Sequence, residues 1–157
     1  VYISCPSKFH PRFYTVCPNK LIVSNELSQS KQEELIQVAT QAMDSAYAPY
    51  SQFKVGAAVL IDTGEIFAGC NVENASYGLS MCAERNAIAN AIIAKGKDTI
   101  VIKAIAVANS KNVFCSPCGA CRQVIWEFGQ EAQVIFPGSA GWQNSTIKDL
   151  LPEGFTL

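Results

Sequence analysis

The sequence predicts an α/β domain in which a mixed sheet carries helices on both faces. Two apolar segments flank a short turn at residues 62–64, which indicates a β-hairpin. A helical segment precedes this hairpin, and further strand and helix segments alternate after it. The chain has 157 residues, which is near the usual size of one domain, so a single substantial core is expected.

The first predicted helix begins at Ser30. The residues S-K-Q-E fit a capping box, in which the Glu33 side chain reaches back to the Ser30 amide. An apolar stripe then follows with helical spacing, formed by Leu35, Ala39, Ala42, Met43 and Ala46. We expect this helix to end near Tyr47.

The central part of the chain predicts a hairpin and then a second helix. VGAAVLI (55–61) and EIFAGCN (65–71) flank D-T-G and are predicted to pair as antiparallel strands. The second helix should run from about Met81 to Lys95, with Gly96 as its C-terminal stop.

The last third of the chain continues the alternation. VIKAIAVAN (101–109) predicts a strand, SPCGACRQVIWEFG (116–129) a loop that leads into a third helix, and AQVIFPG (132–138) another strand. By contrast, residues 1–25 hold three prolines and show no clear period. We therefore predict an irregular N-terminal arm of unknown role at 1–25 and a folded domain at 26–157.

Composition and charge exclude several classes of function. The formal net charge is -1 and only 16% of residues are charged, so no basic surface for nucleic acid is expected. No apolar run reaches the roughly 18 to 20 residues that span a bilayer, and the N-terminus lacks the order of a secretory signal. We expect a soluble, cytoplasmic protein with neither a nucleic-acid nor a membrane partner.

The chemically active residues are mainly cysteines and carboxylates. The only histidine is His10, in the predicted arm, and there is no Walker-type or dinucleotide glycine pattern. The chain has seven cysteines. In a cytoplasmic protein, clustered cysteines more often bind metal or perform chemistry than form disulfides.

Two cysteines have the spacing of metal ligands. Cys118 and Cys121 lie one helical turn apart in P-C-G-A-C, a separation that lets both sulfurs reach one zinc ion. Cys82, at the start of another helix, is the natural third ligand. Three thiolates leave the fourth position of zinc open, as in catalytic sites, and Glu84 could then exchange protons with an activated water. Arg85 could donate to the sulfurs and offset their charge.

Other interpretations of these cysteines stay open on the residues alone. Cys82 could be a small buried core residue, and Cys118 with Cys121 could form a redox pair. Cys115 could complete a closed, structural four-cysteine site that needs no Glu84. The remaining cysteines are predicted to serve packing: Cys5, Cys17 and Cys70.

Five segments resemble the zinc-dependent cytidine deaminases of the small, homotetrameric type. They are C-A-E-R (82–85), P-C-G-A-C-R-Q (117–123), YAPYSQFKVGAAV (47–59), GCNVENASY (69–77) and LLPEGF (150–155). The resemblance covers about residues 26–157, which makes this the catalytic domain. It implies a three-layer α-β-α fold with a mixed, roughly five-stranded sheet and a homotetramer whose subunits share active sites.

The resemblance also implies a role for individual residues. One Zn²⁺ per subunit would be bound by Cys82, Cys118 and Cys121. Glu84 would move protons between the attacking water, the pyrimidine N3 and the leaving amine.

Further positions match substrate contacts in the family. The Ala83 amide would bind the 2-carbonyl of the base, and Asn71 and Glu73 would bind the ribose 3'-hydroxyl. Three aromatic residues match positions near the base or at a subunit boundary: Phe53, Tyr77 and Phe155. Arg85 and Gln123 match residues that support the ligands, with Arg85 in contact with their sulfurs.

The implied reaction is hydrolysis of cytidine and 2'-deoxycytidine to uridine and 2'-deoxyuridine with release of ammonia, a step of pyrimidine salvage. One alternative is a deaminase of a modified nucleoside such as blasticidin S, which shares C-A-E and P-C-G-x-C-R-Q, although N-V-E-N-A favours plain cytidine. A second alternative is a non-catalytic zinc module that binds a protein partner.

Overall fold

The computed structural model describes residues 27–96 and 100–157. Its elements, in chain order, are α1 (Gln29–Met43), β1 (Val55–Ile61), β2 (Ile66–Cys70), a 3₁₀ turn (Tyr77–Leu79), α2 (Ala83–Lys95), β3 (Ile102–Asn109), α3 (Gly119–Phe128), β4 (Gln133–Gly138), β5 (Gly141–Thr146) and α4 (Ile147–Leu150). The predicted arm at 1–25, with His10, Cys5 and Cys17, lies outside the described residues.

The five strands form one mixed sheet. Their spatial order is β2-β1-β3-β4-β5, and β3 and β4 are parallel while the other neighbours are antiparallel. The parallel pair requires a crossover connection, and α3 provides it. The predicted α/β fold with a mixed, five-stranded sheet is confirmed.

The strands alternate between two buried faces, so the sheet is the middle of three layers. In β1, Ala57, Val59 and Ile61 pack towards α2 and α3, whereas Ala58 and Leu60 pack towards α1. This period of two is what a strand buried on both sides requires.

Helix α1 packs very closely on its face of the sheet because the strands there carry small side chains. Alanines at 58, 104, 106 and 108 lie under Leu35 and Ala39 of α1. A Cβ atom placed on Gly56 would lie 2.0 Å from the Ala39 carbonyl oxygen. Only glycine therefore fits at position 56 with α1 in this position.

The bounds of α1 differ from the prediction. The helix starts at Gln29 with Ser28 as its N-cap, and the Ser28 hydroxyl accepts from the Lys31 amide at 3.4 Å. The capping box predicted at Ser30 is therefore wrong, and Glu33 accepts from the Gln29 side chain instead. The helix also ends at Met43 and not near Tyr47.

The early end of α1 is explained by backbone hydrogen bonds between Tyr47 and the segment that follows β2. The Tyr47 amide donates to the Asn71 carbonyl at 3.1 Å, and the Glu73 amide donates to the Tyr47 carbonyl at 2.8 Å. Tyr47 is therefore bound to the segment after β2 and is not available to a helix. These bonds place residues 47–53 beside the end of the hairpin.

Helix α2 confirms the second predicted helix, although it begins at Ala83 with Cys82 as the N-cap. It ends at Lys95, and the C-cap Gly96 has a φ of 87°, which favours glycine. No helix in the described part of the chain is long and apolar enough to cross a membrane.

Side chains of α2 cover the outer edge of β2. Asn71, which follows β2 directly, donates its amide to Val55 of β1. Because backbone groups alternate in direction along a strand, those of Cys70 and Ala68 point away from β1. The outward carbonyl of Cys70 accepts from Asn86, and that of Ala68 accepts from Asn90, at 2.8 and 2.9 Å. Two backbone acceptors of this edge are thus occupied within the subunit.

Two elements, β5 and α4, were not predicted from the residue pattern. The sequence of β5, GWQNST, is mostly exposed and has no alternation of apolar and polar residues. Helix α4 has only four residues and is fixed by a capping box between Thr146 and Asp149. Together they carry the chain from the sheet edge back towards α3.

Candidate active site

Three cysteine sulfurs meet where α2 and α3 begin. Cys82 is the N-cap of α2, Cys118 is the N-cap of α3, and Cys121 lies one turn into α3 and is fully buried. The three sulfur atoms all lie within 4.8 Å of one another, and those of Cys82 and Cys118 are 4.0 Å apart. The structure thus brings together the three predicted ligands.

The spacing of this sulfur group fits zinc. Ligands about 2.3 Å from a tetrahedral zinc ion lie about 3.8 Å from each other, close to the separation of Cys82 and Cys118. Both sit at helix N-termini, where the backbone dipoles favour negative charge. The chemistry and geometry of the three thiols therefore suit a single zinc ion.

Cys115 does not join this group. Among the described residues, the set close enough to hold one metal ion contains Cys82, Cys118 and Cys121 alone. Cys115 lines the adjacent cleft, where burial and then the Glu84 carboxylate raise the pKa of its thiol. The arrangement favours the open, three-sulfur site over the closed four-cysteine alternative.

Hydrogen bonds from Cys121 and Arg85 favour the thiolate form of Cys82. The hydrogen bond from Cys121, and then the one from Arg85, lower the pKa of Cys82 to about 5. The same bond to Cys82 raises the pKa of Cys121. The Arg85 Nη2 atom lies 3.7 Å from the Cys82 sulfur and donates to the Ser80 carbonyl at 3.1 Å. Arg85 is therefore placed to offset the charge of a thiolate at Cys82.

The Glu84 carboxyl is buried directly beside the sulfur group. Its exposed fraction is 5%, and burial raises the pKa of this carboxyl above its usual value of 4.5. The Cys82 thiolate raises it further. Glu84 thus combines a position beside the three sulfurs with a raised pKa, the pattern expected of a proton carrier.

A cleft of about 510 Å³ opens onto these groups. Cys82, Ala83 and Glu84 form one part of its wall, and Asn71 and Glu73 form another. Its remaining lining is Tyr50, Ser51, Val55, Tyr77, Ser80, Met81, Val107, Cys115, Ser116 and Cys118. Ala83 is the first residue of α2, and an amide in the first turn of a helix has no acceptor within that helix.

Asn71 and Glu73 are held in place by neighbouring backbone groups. The Asn71 side chain accepts from the Val55 amide at 2.8 Å and donates to the Phe53 carbonyl at 2.9 Å. One amide hydrogen and one lone pair of Asn71 remain for a ligand. The Glu73 carboxylate accepts from the Ser51 hydroxyl and from the Tyr50 amide. The Ser51 bond lowers the pKa of Glu73, which is therefore ionised at neutral pH.

Two predicted substrate contacts, Phe53 and Phe155, are not among the residues that line the cleft, and neither are Cys121, Arg85 and Gln123. Phe53 is half-buried, with the Lys111 ammonium 5.7 Å from its ring centre. Phe155 has an exposed fraction of 65%, and Gln123 donates to its backbone carbonyl at 2.8 Å. Tyr77 does line the cleft but is 75% exposed, and its ring packs edge-on against Tyr50.

The residue analysis missed three side chains that support the site. Ser51 holds Glu73, while Ser116 and Arg122 contact each other beside the cysteine loop. Ser51 and Arg122 lie inside the segments that carried the family resemblance, which was the available signal for them. Neither has a spacing or charge pattern that would mark it without the fold.

Comparison with known proteins agrees with this geometry. Residues 29–137 match the family model described as the cytidine and deoxycytidylate deaminase zinc-binding region. The chain belongs to this deaminase family. The resemblance that the motifs suggested is thereby confirmed, and with it the expectation of an enzyme that has a zinc-binding domain.

Curated cytidine deaminases match most of the chain. The cytidine deaminase of Halalkalibacterium halodurans is 44% identical over 124 residues, which are 78% of this chain and 92% of that protein. A probable cytidine deaminase of Dictyostelium discoideum is 43% identical, over 83% of this chain and 87% of its own length. The blasticidin-S deaminase of Bacillus cereus is 31% identical over 128 residues.

A solved deaminase structure confirms the fold. The crystal structure of cytidine deaminase from Burkholderia pseudomallei superposes with a TM-score of 0.71 at 45% identity. The match covers 78% of this chain and 98% of that one. The predicted cytidine deaminase-like fold is therefore correct for the part of the chain that is matched.

Proposed function

We propose that this chain catalyses the zinc-dependent hydrolytic deamination of cytidine and 2'-deoxycytidine, which yields uridine or 2'-deoxyuridine and ammonia. Such a reaction would serve pyrimidine salvage. The observation that carries the proposal is the buried Glu84 carboxyl beside three sulfurs at the wall of a cleft of about 510 Å³. Similarity to curated cytidine deaminases supports the choice of substrate.

Cys82, Cys118 and Cys121 would hold one zinc ion per subunit. When bound, zinc supplies Lewis-acid activation of water near neutral pH. Arg85 offsets the charge of the sulfurs through its contact with Cys82, because three thiolates exceed the charge of the metal by one unit. These thiols must stay reduced to bind metal, which is consistent with action in the cytoplasm.

Glu84 carries the protons of the reaction. It takes a proton from the attacking water and delivers it to N3 of the pyrimidine as the new C4–O bond forms. It then takes the proton of the new C4 hydroxyl group and gives it to the amine. The C4–N bond breaks as the C4 carbonyl forms, and ammonia leaves. Burial raises the pKa of Glu84, so this carboxyl accepts a proton more readily than an exposed carboxyl does, which suits a group that takes protons and returns them during this cycle.

The wall of the cleft orients the nucleoside. The Ala83 amide donates to the 2-carbonyl of the base, and Asn71 and Glu73 bind the ribose 3'-hydroxyl. None of the described residues that line the cleft is lysine or arginine, and Glu73 adds a negative charge. A 5'-phosphate would find no cation there, so we propose a nucleoside and not a nucleotide as substrate.

Exposed aromatic residues support a shared active site in a homotetramer. Tyr77 at the cleft and Phe155 in the C-terminal residues are both largely exposed in the single subunit. Tyr77 lies beside two further exposed apolar side chains, Tyr50 and Leu79, and contiguous exposed apolar patches mark interaction sites. We propose that Tyr77 lies at the subunit boundary, that Phe155 reaches a neighbouring site, and that Phe53 packs near the base. In this assembly, Gln123 holds the backbone of Phe155.

The two alternatives predict different substrates or none. A deaminase of blasticidin S would turn over that compound faster than cytidine. A non-catalytic zinc module would contain zinc without activity towards either. Asn71 and Glu73, which both line the cleft, favour the ribose of a plain nucleoside.

One assay separates these possibilities. Ammonia release is measured with cytidine, 2'-deoxycytidine, deoxycytidylate and blasticidin S, before and after removal of zinc with a chelator. We expect turnover of the two nucleosides, loss with the chelator and recovery on adding zinc. Faster turnover of blasticidin S or deoxycytidylate would contradict the proposed substrate class, and full activity after zinc removal would contradict the metal.

A further inference from the structure

We infer that Arg122 is a positioning residue that holds the loop before Cys118 and, through the same guanidinium, fastens residues 150–155 onto α3. Residues 150–155 are called the C-terminal segment below. The inference deepens the proposed function, since it rests on Cys82, Cys118 and Cys121 as the zinc ligands.

One side of the Arg122 guanidinium binds the cysteine loop. Its Nε atom donates to the Pro117 carbonyl at 2.8 Å, and its Nη2 atom donates to the Ser116 hydroxyl at 3.1 Å. The Pro117 carbonyl belongs to the peptide unit that leads directly into Cys118. By restraining that peptide plane, the bond restrains the backbone from which Cys118 projects its sulfur.

The opposite side of the guanidinium binds the C-terminal segment. The Nη1 atom of Arg122 donates at 2.8 Å to the carbonyl of Leu150, the last residue of α4. Carbonyls in the last turn of a helix receive no hydrogen bond from within that helix. The guanidinium therefore supplies the donor that the Leu150 carbonyl lacks. The next side chain along α3, Gln123, donates to the Phe155 carbonyl at 2.8 Å.

Close packing shows how tightly the C-terminal segment lies on α3. A Cβ atom on Gly154 would be only 2.4 Å from Cδ2 of the Trp126 indole. The Gly154 backbone therefore lies directly against this ring, which is itself buried. Trp126 is consequently an internal reporter of whether the C-terminal segment is in place.

The chemistry of arginine explains why one side chain serves both partners. A guanidinium presents five N–H donors in a rigid plane, and here three of its nitrogens reach three acceptors on two different segments. A lysine ammonium is a point charge on a flexible stem and cannot reproduce this fork. Movement of the C-terminal segment is therefore coupled to the geometry of the zinc-binding loop.

The test uses the full chain with Trp142→Phe as background, so that Trp126 is its only tryptophan. Arg122→Ala and Arg122→Lys are compared with Lys103→Ala, which removes an exposed positive charge from β3. Zinc affinity is measured by chelator competition, Trp126 emission by fluorescence, and folding by circular dichroism. Arg122→Ala should weaken zinc binding about 10- to 100-fold, as loss of groups that orient metal ligands usually does, and should shift Trp126 emission to the red.

Arg122→Lys should fall between Arg122→Ala and the background in both measurements, and Lys103→Ala should match the background. Unchanged zinc affinity in Arg122→Ala would overturn the inference, even if Trp126 emission shifts. If Arg122→Ala does not fold, Arg122→Lys decides: unchanged affinity there overturns the inference equally. A background protein that binds no zinc would instead contradict the proposed function, so the two failures are distinct.

Discussion

The Cys115 amide donates to the Pro137 carbonyl at 3.1 Å. This bond ties the start of the cysteine loop to β4, and it leaves the Cys115 sulfur outside the group formed by Cys82, Cys118 and Cys121. Through this bond, the sheet holds the Cys115 backbone in the wall of the cleft, three residues before Cys118.

Replacing Cys115 tests whether the zinc site is open. Cys115→Ala should retain one zinc ion per subunit, because the three proposed ligands are untouched. Cys118→Ala should lose zinc, since two thiolates bind the ion much more weakly than three. Metal content by atomic emission checks both variants after equal dialysis. Zinc loss in Cys115→Ala would favour the closed four-cysteine site.

Glu84→Gln should abolish turnover while zinc and fold persist. The amide keeps the size of the side chain but cannot accept and return a proton, so ammonia release should fall by about 10²- to 10⁴-fold or more. Metal content and circular dichroism serve as controls. Near-normal turnover in a zinc-loaded variant would exclude the proton-carrying role of Glu84.

The stability of the zinc-free protein should depend on Glu84 and pH. Burial raises the pKa of Glu84 in the folded state, so above pH 4.5 the folded protein keeps a proton that the unfolded chain loses. The free energy of unfolding should therefore fall, relative to that of Glu84→Gln, as the pH rises from 4 to 7. Urea unfolding of both proteins with a chelator present checks this. A constant difference across that range would contradict it.

Gly56→Ala should destabilise the fold. The added Cβ atom would lie 2.0 Å from the Ala39 carbonyl oxygen and 2.5 Å from the Met43 amide nitrogen, so α1 must move off the sheet. Overpacking of this kind costs about 1 to 3 kcal/mol or more. Gly78→Ala is the matched control, because nothing lies within 4 Å of its added Cβ atom. Thermal unfolding of the two variants should separate them clearly, and equal midpoints would show that α1 adjusts without cost.

Mixed assemblies test whether active sites are shared between subunits. Phe155→Ala and Glu84→Gln should each have low activity alone. When the two variants are co-expressed with different tags and purified through both, sites that combine Glu84 of one subunit with Phe155 of another should regain activity. Ammonia release from the doubly purified material measures this recovery. Activity no higher than the mean of the separate variants would place Phe155 outside the neighbour's site.

Much of the fold was predictable because buried strands and Ala-rich helices have strong patterns. β1 (VGAAVLI) is a continuous apolar run, and β3 and β4 contain the apolar runs AIAVA and VIF, as buried strands are expected to do. β5 was missed because a polar edge strand gains its stability from pairing with β4, which its own sequence does not reveal.

The start of α1 shows why the ends of helices are harder to predict. Ser28 and Ser30 are both acceptable N-caps by residue type. The choice of Ser28 depends on contacts outside the usual motif, such as the bond from the Gln32 side chain to the Leu27 carbonyl at 3.0 Å. The end of α1 depends on a bond from Tyr47 to Asn71, which is visible only in the folded chain.

The three cysteines that the fold brings together were predictable because ligand spacing is a local property. Cys118 and Cys121 carry their signal in four consecutive residues, and Cys82 is marked by its place before a helix with Glu84 beside it. Arg122 could not be found in this way, because its three acceptors come from two distant segments. Supporting residues of this kind become visible only when the chain is folded.

The asparagines that cover the β2 edge affect how the protein behaves at high concentration. An exposed strand edge can pair with another chain and start aggregation. Here an approaching strand would find the carbonyls of Ala68 and Cys70 already bound by Asn90 and Asn86. The apolar hairpin at the margin of the sheet is thereby protected from β-sheet extension, with no need for the charged residues or proline that usually protect such edges.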